Sequence, residues 1–218
     1  MDVYTTESEQ IEQLKKWWKE NGKSVIAGVV IGVSVLFAAW AWRDHTRTQA
    51  EAASAEYQLL IGDVEKGDAR AGLERAARIR NQYGDTPYAV FAALAMAKFE
   101  LEQGNAQAAV THLQWALSNA EEDSLRHIAR LRLARVMIDS DQAAAALKLV
   151  SDVQPGGFLS AYEEVKGDAY MKTNQPDAAH AAYTRALAAL GEESDPEQRE
   201  LLQMKLDDLG TPNVKENK

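Results

Sequence analysis

The side chains that most often carry chemistry are few in this chain and lie far apart. No two histidines are within five residues of each other, and the four are His45, His112, His127 and His180. Asp177 and His180 would share one helix face, but two ligands alone do not make a metal site. We therefore predict no metal centre and no cofactor.

Sequence patterns of catalysis are also missing. The chain has no Gly-x-Ser-x-Gly elbow, no Walker A loop and no dinucleotide-binding glycine pattern. The acidic run 121–123 lies beside Ser124 between two predicted helices, where capping or solvation explains it better than acid–base catalysis. There is no cysteine, which excludes disulfides, thiol catalysis and cysteine-based metal sites. The sequence thus predicts a protein that is not an enzyme.

An uncharged apolar stretch covers residues 25–42, and its only polar side chain is Ser34. A helix of this length is roughly 27 Å long, close to the roughly 30 Å hydrocarbon core of a bilayer. A core helix of a soluble protein would show a polar stripe. A signal peptide cleaved near Ala39-Trp40-Ala41 is the main alternative, but the run exceeds the usual apolar segment of about 7–15 residues. We predict an uncleaved transmembrane helix over 25–42.

The basic residues around this helix are unevenly distributed. Arg43 and Arg47 lie close to its C-terminal end, whereas four lysines precede it, namely Lys15, Lys16, Lys19 and Lys23. The positive-inside rule therefore places the N-terminal segment 1–24 in the cytoplasm and the rest of the chain outside it. Within the span, Gly28 and Gly32 remove side chains from one face, which predicts close packing of another membrane helix there.

The net charge limits the partners of the chain. It carries 24 Lys+Arg and 33 Asp+Glu, a formal charge of −9. The part after the first 24 residues holds 20 basic and 28 acidic side chains. Nucleic acid requires a basic surface, so the composition argues against a nucleic-acid partner.

Internal repetition is the most informative feature of the remaining chain. Four similar segments each open with a residue that tolerates the left-handed backbone conformation, at Gly67, Gly104, Asp141 and Asn174. These openings are 37, 37 and 33 residues apart, the length of two helices and their turns. We predict an all-α fold: a single N-terminal transmembrane helix followed by a tetratricopeptide-like helical repeat solenoid over 43–210. A disordered polar tail is expected over 211–218.

The last repeat fits the tetratricopeptide pattern best. Gly167 and Tyr170 take the small and aromatic positions of its first helix, and Ala179, Tyr183 and Ala186 take positions of its second. The small residues would let the two helices approach closely, and the tyrosines would fill the space around them.

Repeat stacks of this kind bind partners on a concave surface that is lined by their first helices. The repeat frame predicts which side chains lie on that surface. They are Phe91, Leu94, Lys98, Leu131, Arg135, Ile138, Asp168 and Met171.

The segment QIEQLKKWWKENGKSVIAGVVIGVSVLFAAWAWRDH, residues 10–45, resembles the YfgM family, the ancillary subunits of the SecYEG translocon. LRLARV at 131–136 and LLQMKLDDL at 201–209 are also similar to segments of that family. The resemblance implies a single-pass bacterial inner-membrane protein with a periplasmic tetratricopeptide-like domain and no catalytic residues.

The same resemblance implies the partners and the function. The partners would be the SecYEG translocon, the membrane-anchored periplasmic chaperone PpiD and, as a further possibility, exported client proteins. The function would be to link protein export to periplasmic chaperones and to envelope-stress control.

Two other functions stay open at the level of sequence. The first is a scaffold in cell-envelope assembly, in outer-membrane protein insertion or cell-wall synthesis, and the identity of copurifying partners would separate it from the translocon role. The second is an enzyme, which would need a cleft with paired titratable groups.

Overall fold

The computed structural model of the chain describes residues 7–191 and 195–209, with side chains from residue 9 onward. It contains two compact units, Met1–Glu51 and Ala52–Lys218. The described residues form nine α-helices and a short 3-10 helix, with no β-strand among them. The predicted all-α fold class is confirmed. The segment 211–218, for which disorder was expected, lies outside the described residues.

The first unit consists of the helix α1, Glu7–Glu65, up to Glu51. Of the helices in the described ranges, α1 is the one that is long and apolar enough to cross a membrane. No residue of its most apolar part is buried on the isolated chain. Ser34 donates a hydrogen bond to the Val30 carbonyl at 2.8 Å, so its hydroxyl is satisfied within the helix.

The second unit begins at Ala52 with the last turns of α1 and continues as a stack of helix pairs. The helices are α2 (Ala69–Gln82), α3 (Pro87–Glu102), α4 (Ala106–Asn119), α5 (Asp123–Asp139), α6 (Ala143–Ser151), α7 (Leu159–Lys172), α8 (Pro176–Ala189) and α9 (Pro196–Asp207), with the 3-10 helix at Gly156–Phe158. From α2 onward each helix packs on the next, and α5 also packs directly on α7. This arrangement is the one expected of stacked two-helix repeats.

The turns between helices follow the expected backbone pattern. Gly67, Gly104, Asp141 and Asn174 have φ values of 72°, 78°, 60° and 57°. Only a few residue types adopt this left-handed conformation without strain, and these are Gly, Asn and Asp. The prediction made from the repeat openings is confirmed at all four positions.

Side-chain caps fix two of the helix starts. Asp68 accepts a hydrogen bond from the Ala71 N–H at 3.0 Å, at the start of α2. Asp195 accepts one from the Glu197 N–H at 3.0 Å, with Pro196 in the first turn of α9. The sequence Ser-Asp-Pro-Glu at 194–197 has the spacing of a capping box. The cap of α9 is Asp195, and residue 194 lies outside the described ranges.

Buried side chains form a continuous series of clusters along the stack. The repeat frame assigns small and apolar positions to each of the first three units, and all but one of them are buried. The buried ones are Gly72, Ala76 and Ile79, then Ala97, Ala109, Leu113 and Ala116, then Ala134, Ala146 and Val150, whereas Val153 is only partly buried. Alanine at these positions lets helix backbones approach, while the larger side chains fill the space between them. The stack closes at α9, where Leu202 is completely buried.

Candidate partner-binding surface

The last helix pair is held together by a close contact between its two helices. Gly167 of α7 faces the ring of Tyr183 of α8, and a Cβ added to Gly167 would lie 2.8 Å from Tyr183 Cζ. Ala179 and Ala186 are fully buried beside Tyr183, and Tyr170 is partly buried against the same cluster. The structure thus brings together all five residues that the sequence assigned to repeat packing.

A pocket of about 550 Å³ opens between α5 and α7, and we call it the α5–α7 pocket. Its walls combine charged and apolar side chains from four helices. They are Arg135, Ile138 and Asp139 of α5, Glu164, Asp168, Met171 and Lys172 of α7, Tyr183 of α8 and Lys205 of α9. A wall of this composition fits a partner that offers both apolar and charged groups.

Lys205 occupies the centre of the charged part of this pocket. Its Nζ donates hydrogen bonds to Glu164 Oε1 at 2.8 Å and to Asp168 Oδ1 at 2.7 Å. Tyr183 Oη also donates to Asp168 Oδ1, at 2.7 Å, and the ammonium lies 5.5 Å from the centre of the Tyr183 ring. These contacts join α9 to α7, and the bonded residues are 41 and 37 positions apart in the sequence.

The ionisation of this cluster follows from its burial and its hydrogen bonds. Burial alone would lower the pKa of Lys205, but the bonds to Asp168 and Glu164 outweigh it, and the pKa is raised. Burial and the bond to Asp168 both raise the pKa of Tyr183. Lys205 is therefore a cation and Tyr183 a neutral donor at neutral pH.

A second ion-pair cluster lies on the same two helices. Glu163 is 5% exposed and accepts hydrogen bonds from Lys166 Nζ at 2.7 Å and Arg185 Nε at 2.6 Å. Burial alone would raise the pKa of Glu163, but these two cations outweigh it and the pKa is lowered. The tetratricopeptide pattern has large apolar residues where Glu163 and Lys166 stand, so an ion pair fills that place here.

A second pocket of about 380 Å³ lies between α3 and α5, and we call it the α3–α5 pocket. Its walls are mainly apolar, with Leu94, Ala97, Leu101, Leu113 and Val136. Its charged members are Lys98, Glu102, Arg132, Arg135 and Asp139. Arg135 and Asp139 line both pockets, so the two form one surface along the first helices of successive repeats.

Six of the eight residues predicted for partner binding line these pockets. Arg135, Ile138, Asp168 and Met171 line the α5–α7 pocket, and Leu94, Lys98 and Arg135 line the α3–α5 pocket. The two remaining residues, Phe91 and Leu131, line neither.

The packing of Phe91 and Leu131 explains why they do not line either pocket. Phe91 packs with Tyr57 and Tyr88, with ring centres 6.0 and 5.8 Å away. Leu131 is 4% exposed and belongs to a buried cluster with Ala134 and Ile138. The spacing 131, 134, 138 lies along one helix face, which packs against α6 and α7, and of these three residues only Ile138 also lines the α5–α7 pocket.

Sequence reasoning missed several residues of this surface. Glu164 and Lys205 are central to the α5–α7 pocket, and Arg132 lines the α3–α5 pocket. Glu164 precedes Asp168 by four residues, a spacing that puts both carboxylates on one helix face. That signal was available, whereas nothing local to α9 indicates where Lys205 points.

The two glycines that were predicted to pack within the membrane have a simpler outcome. Gly28 and Gly32 lie on α1 with no atom within 4 Å of a Cβ added to either, so this face carries no packing partner within the described chain. In the described ranges no group of three or more His, Asp or Glu side chains is placed to hold a metal ion.

The fold defines a class of protein: an N-terminal helix able to span a membrane, followed by a stack of tetratricopeptide-like helix pairs with two pockets along its first helices. The family described as "Tetratricopeptide repeat-like domain" matches residues 15–211. No solved structure matches the chain.

Curated relatives match nearly the whole chain. A protein of Haemophilus influenzae is 32% identical over 210 residues, covering 95% of this chain and 100% of the relative. One of Escherichia coli K12 is 30% identical over 212 residues, covering 96% and 99%. One of Neisseria gonorrhoeae is 27% identical over 213 residues, covering 96% and 100%. Each is named "Ancillary SecYEG translocon subunit", and this chain belongs to their family.

Proposed function

We propose that this chain is a membrane-anchored, non-catalytic adaptor that associates with the SecYEG translocon in the bacterial inner membrane. The observation that carries the proposal is the full-length similarity to relatives that are named as ancillary subunits of that translocon. The similarity covers nearly the whole chain, so it supports a role for both the proposed anchor and the proposed binding domain.

In this proposal residues 25–42 cross the membrane once. The segment 1–24 lies in the cytoplasm and the repeat domain 43–210 lies in the periplasm. The four lysines before the span, against two arginines close after it, support this orientation. Gly28 and Gly32 offer a face on which another membrane helix can pack closely.

The repeat domain would act by proximity. An anchor beside the channel raises the local concentration of whatever the domain binds, and tethering of this kind reaches effective concentrations of about millimolar. We propose that the α3–α5 and α5–α7 pockets bind a PpiD-type periplasmic chaperone or segments of newly exported proteins. The link to envelope-stress control would follow from occupancy of the same surface.

Affinity purification of the tagged full-length chain from intact membranes tests the association with the translocon. We expect SecYEG and a membrane-anchored periplasmic chaperone to copurify. A control chain in which an unrelated transmembrane helix replaces residues 25–42 should recover less of the translocon. Recovery of outer-membrane insertion or cell-wall synthesis proteins instead would favour the envelope-scaffold function.

Site-specific crosslinking tests the binding surface. A photoreactive residue at Met171, which is 42% exposed, or at Lys98, on the rim of the α3–α5 pocket, should capture periplasmic partners. The same residue at exposed Gln107 of α4, outside both pockets, serves as the control. Equal capture at all three positions would contradict a role for the pockets.

A further inference from the structure

Uncharged residues recur along one face of α1 with the seven-residue period of a two-stranded coiled coil. Alternating steps of three and four residues lead along this face through Ile11, Leu14, Trp18, Asn21, Val25, Gly28, Gly32, Val35, Ala39 and Trp42. None of these ten residues is charged. A strict seven-residue repeat over several turns indicates that two helices pack side by side along that face. We call this set of residues the α1 seam.

The charged residues between positions 9 and 24 avoid the seam, whereas Glu7, in the first turn of α1, falls on the same heptad line. Those that avoid it are Glu9, Glu12, Lys15, Lys16, Lys19, Glu20 and Lys23. Six of these seven fall on the three heptad positions that point away from a partner, and Lys15 lies at the edge. The distribution separates an apolar stripe from a charged surface on a helix segment that precedes the membrane.

Lipid cannot cover the first part of the seam. At about 1.5 Å per residue, Leu14 lies about 16 Å and Ile11 about 21 Å before Val25 along the helix. The headgroup layer on each side of a bilayer is only about 5–8 Å thick. Ile11, Leu14 and Trp18 are 53%, 65% and 51% exposed on the single chain. A stripe of this kind in water requires a protein partner that also extends beyond the membrane.

We propose that the partner is a second copy of this chain, paired in parallel through the α1 seam. The inference rests on the proposed membrane span at 25–42. Two copies that insert in the same orientation are necessarily parallel and lie at the same depth, so each seam residue meets its own counterpart. Gly28 and Gly32 then remove side chains from both helices at one level, and the backbones can approach closely.

Asn21 fits a symmetric pair. It is the only polar residue of the seam, and its Nδ2 donates to the Trp17 carbonyl at 3.1 Å, which leaves its amide oxygen and second N–H for a partner. A side-chain amide offers both donor and acceptor, so two copies of Asn21 complement each other. A single polar residue in such a seam fixes the register and the number of strands.

The positions that flank the seam are also compatible with a second copy. In a parallel pair, each residue on one flank faces a residue five positions later on the other flank of the partner helix. Lys15 then faces uncharged Gln10, so no like charges meet. Trp17 faces Gly22 of the other copy, where the Trp18 ring of that copy lies over the glycine, so indole rings of the two copies meet at this level.

Disulfide crosslinking of the full-length chain in its own membrane tests the pairing. The natural chain has no cysteine, so Leu14→Cys and Asn21→Cys each carry one thiol on the seam. Gln13→Cys and Glu20→Cys are the matched controls, one residue away on the outer face. After mild oxidation we expect the seam variants to give a disulfide-linked product of twice the 24.0 kDa chain mass, and the controls to give little.

Three results would overturn the proposal: equal yields at all four positions, no product, or a seam product whose mass shows a different protein. The third would assign the seam to a helix of another membrane protein and leave the translocon association intact. Conversely, dimers without copurifying SecYEG would overturn the proposed function and leave the pairing in place.

A second variant tests whether the seam continues through the bilayer. Gly28→Leu in the Leu14→Cys background should lower the yield of dimer about tenfold, because the helices can no longer approach at that level. Val30→Leu, on the outer face at the same depth, should leave the yield unchanged. If Gly28→Leu also leaves it unchanged, the seam does not pair within the membrane and the proposal is wrong.

Discussion

The ring of Tyr183 in α8 lies directly against the backbone of Gly167 in α7. A Cβ added to Gly167 would be 2.5 Å from Tyr183 Cδ1 and 2.8 Å from Cζ, distances that real Cβ atoms do not reach. The ring cannot easily move away, because Tyr183 is 3% exposed and its hydroxyl donates to Asp168 Oδ1 at 2.7 Å. Only glycine fits at position 167 with the two helices in this arrangement.

We therefore expect Gly167→Ala to destabilise the repeat domain. An overpacking cost of about 3 kcal/mol exceeds the gain of about 1 kcal/mol in helix propensity, which leaves a net loss of about 2 kcal/mol. Denaturant unfolding of the full-length chain in detergent micelles, monitored by circular dichroism, measures this loss of stability.

Gly72→Ala is the control for this prediction. A Cβ at Gly72 would be 3.5 Å from Met96 Sδ and 3.8 Å from Val64 Cγ2, which is ordinary van der Waals contact. This variant should be as stable as the natural chain or slightly more so. Equal losses in the two variants would contradict the role assigned to the Tyr183 ring.

Local sequence patterns predicted much of the architecture of the repeat domain. The four left-handed residues at the repeat openings could be named because few residue types adopt that conformation. Gly167 and Tyr183 could be placed in one packing frame because helical repeats keep their small and large residues at fixed spacing. These features depend on residues that are close together in the sequence or repeated along it.

The details of the surface could not be read in the same way. The Lys205 bonds to Glu164 and Asp168 span 41 and 37 residues, and no local pattern fixes where a surface lysine points. Leu131 was assigned to the concave surface, yet it is buried beside Ala134. Ile138, seven residues later on the same helix face, does line the α5–α7 pocket. The packing of α6 and α7 along α5, and not the repeat frame, therefore decides that Leu131 is covered.

Lys205→Met should loosen the closing helix α9. The change leaves the carboxylates of Glu164 and Asp168 in the pocket without their shared cation, and the loss of hydrogen bonds to charged groups costs about 1–3 kcal/mol. We expect faster amide hydrogen exchange in α9 and a lower melting temperature.

Lys172→Met is the matched control, because Lys172 lines the same pocket and is exposed. Its effect on the free energy of unfolding should stay within about 0.5 kcal/mol. If the amide hydrogens of α9 exchange equally fast in the two variants, Lys205 does not hold α9 in place.

A pair of substitutions in α5 should separate stability from binding. Leu131→Ala removes a buried side chain and should cost about 2–5 kcal/mol. Arg135→Ala removes a side chain that is 44% exposed and lies 3.6 Å from Glu164, so its cost to stability should be at most about 1 kcal/mol. Arg135 lines both pockets, and we expect its loss to weaken the capture of periplasmic partners several-fold.

Thermal unfolding and copurification, carried out on the same membrane preparations, measure the two effects. Full partner recovery with Arg135→Ala would exclude this side chain from the binding surface. Met171→Ala, in the α5–α7 pocket, then shows whether the remaining part of that pocket contributes.

His112 in α4 should make the stability of the repeat domain sensitive to mild acid. Burial, and then the nearby Arg80, lower the pKa of His112, although Glu100 acts in the opposite direction. Its Nδ1 is buried and has no hydrogen-bond partner among the described residues. The unfolded chain, with a pKa of about 6.5 at this residue, therefore takes up a proton more readily than the folded chain.

The sign of the pH dependence follows from that difference. The stabilisation from neutral His112 is fully present above about pH 6.5 and is lost as the pH falls through the lower pKa of the folded state. Glu163, whose pKa is also lowered, loses its stabilisation only below about pH 4.3. A series of melting temperatures from about pH 7.5 to 5.5 separates the histidine from this carboxylate.

His112→Leu should reduce this decline, because leucine binds no proton. It should also be at least as stable at neutral pH, because it removes a buried polar atom that lacks a partner. A melting temperature that falls equally steeply in both proteins would mean that a different group takes up the proton on unfolding.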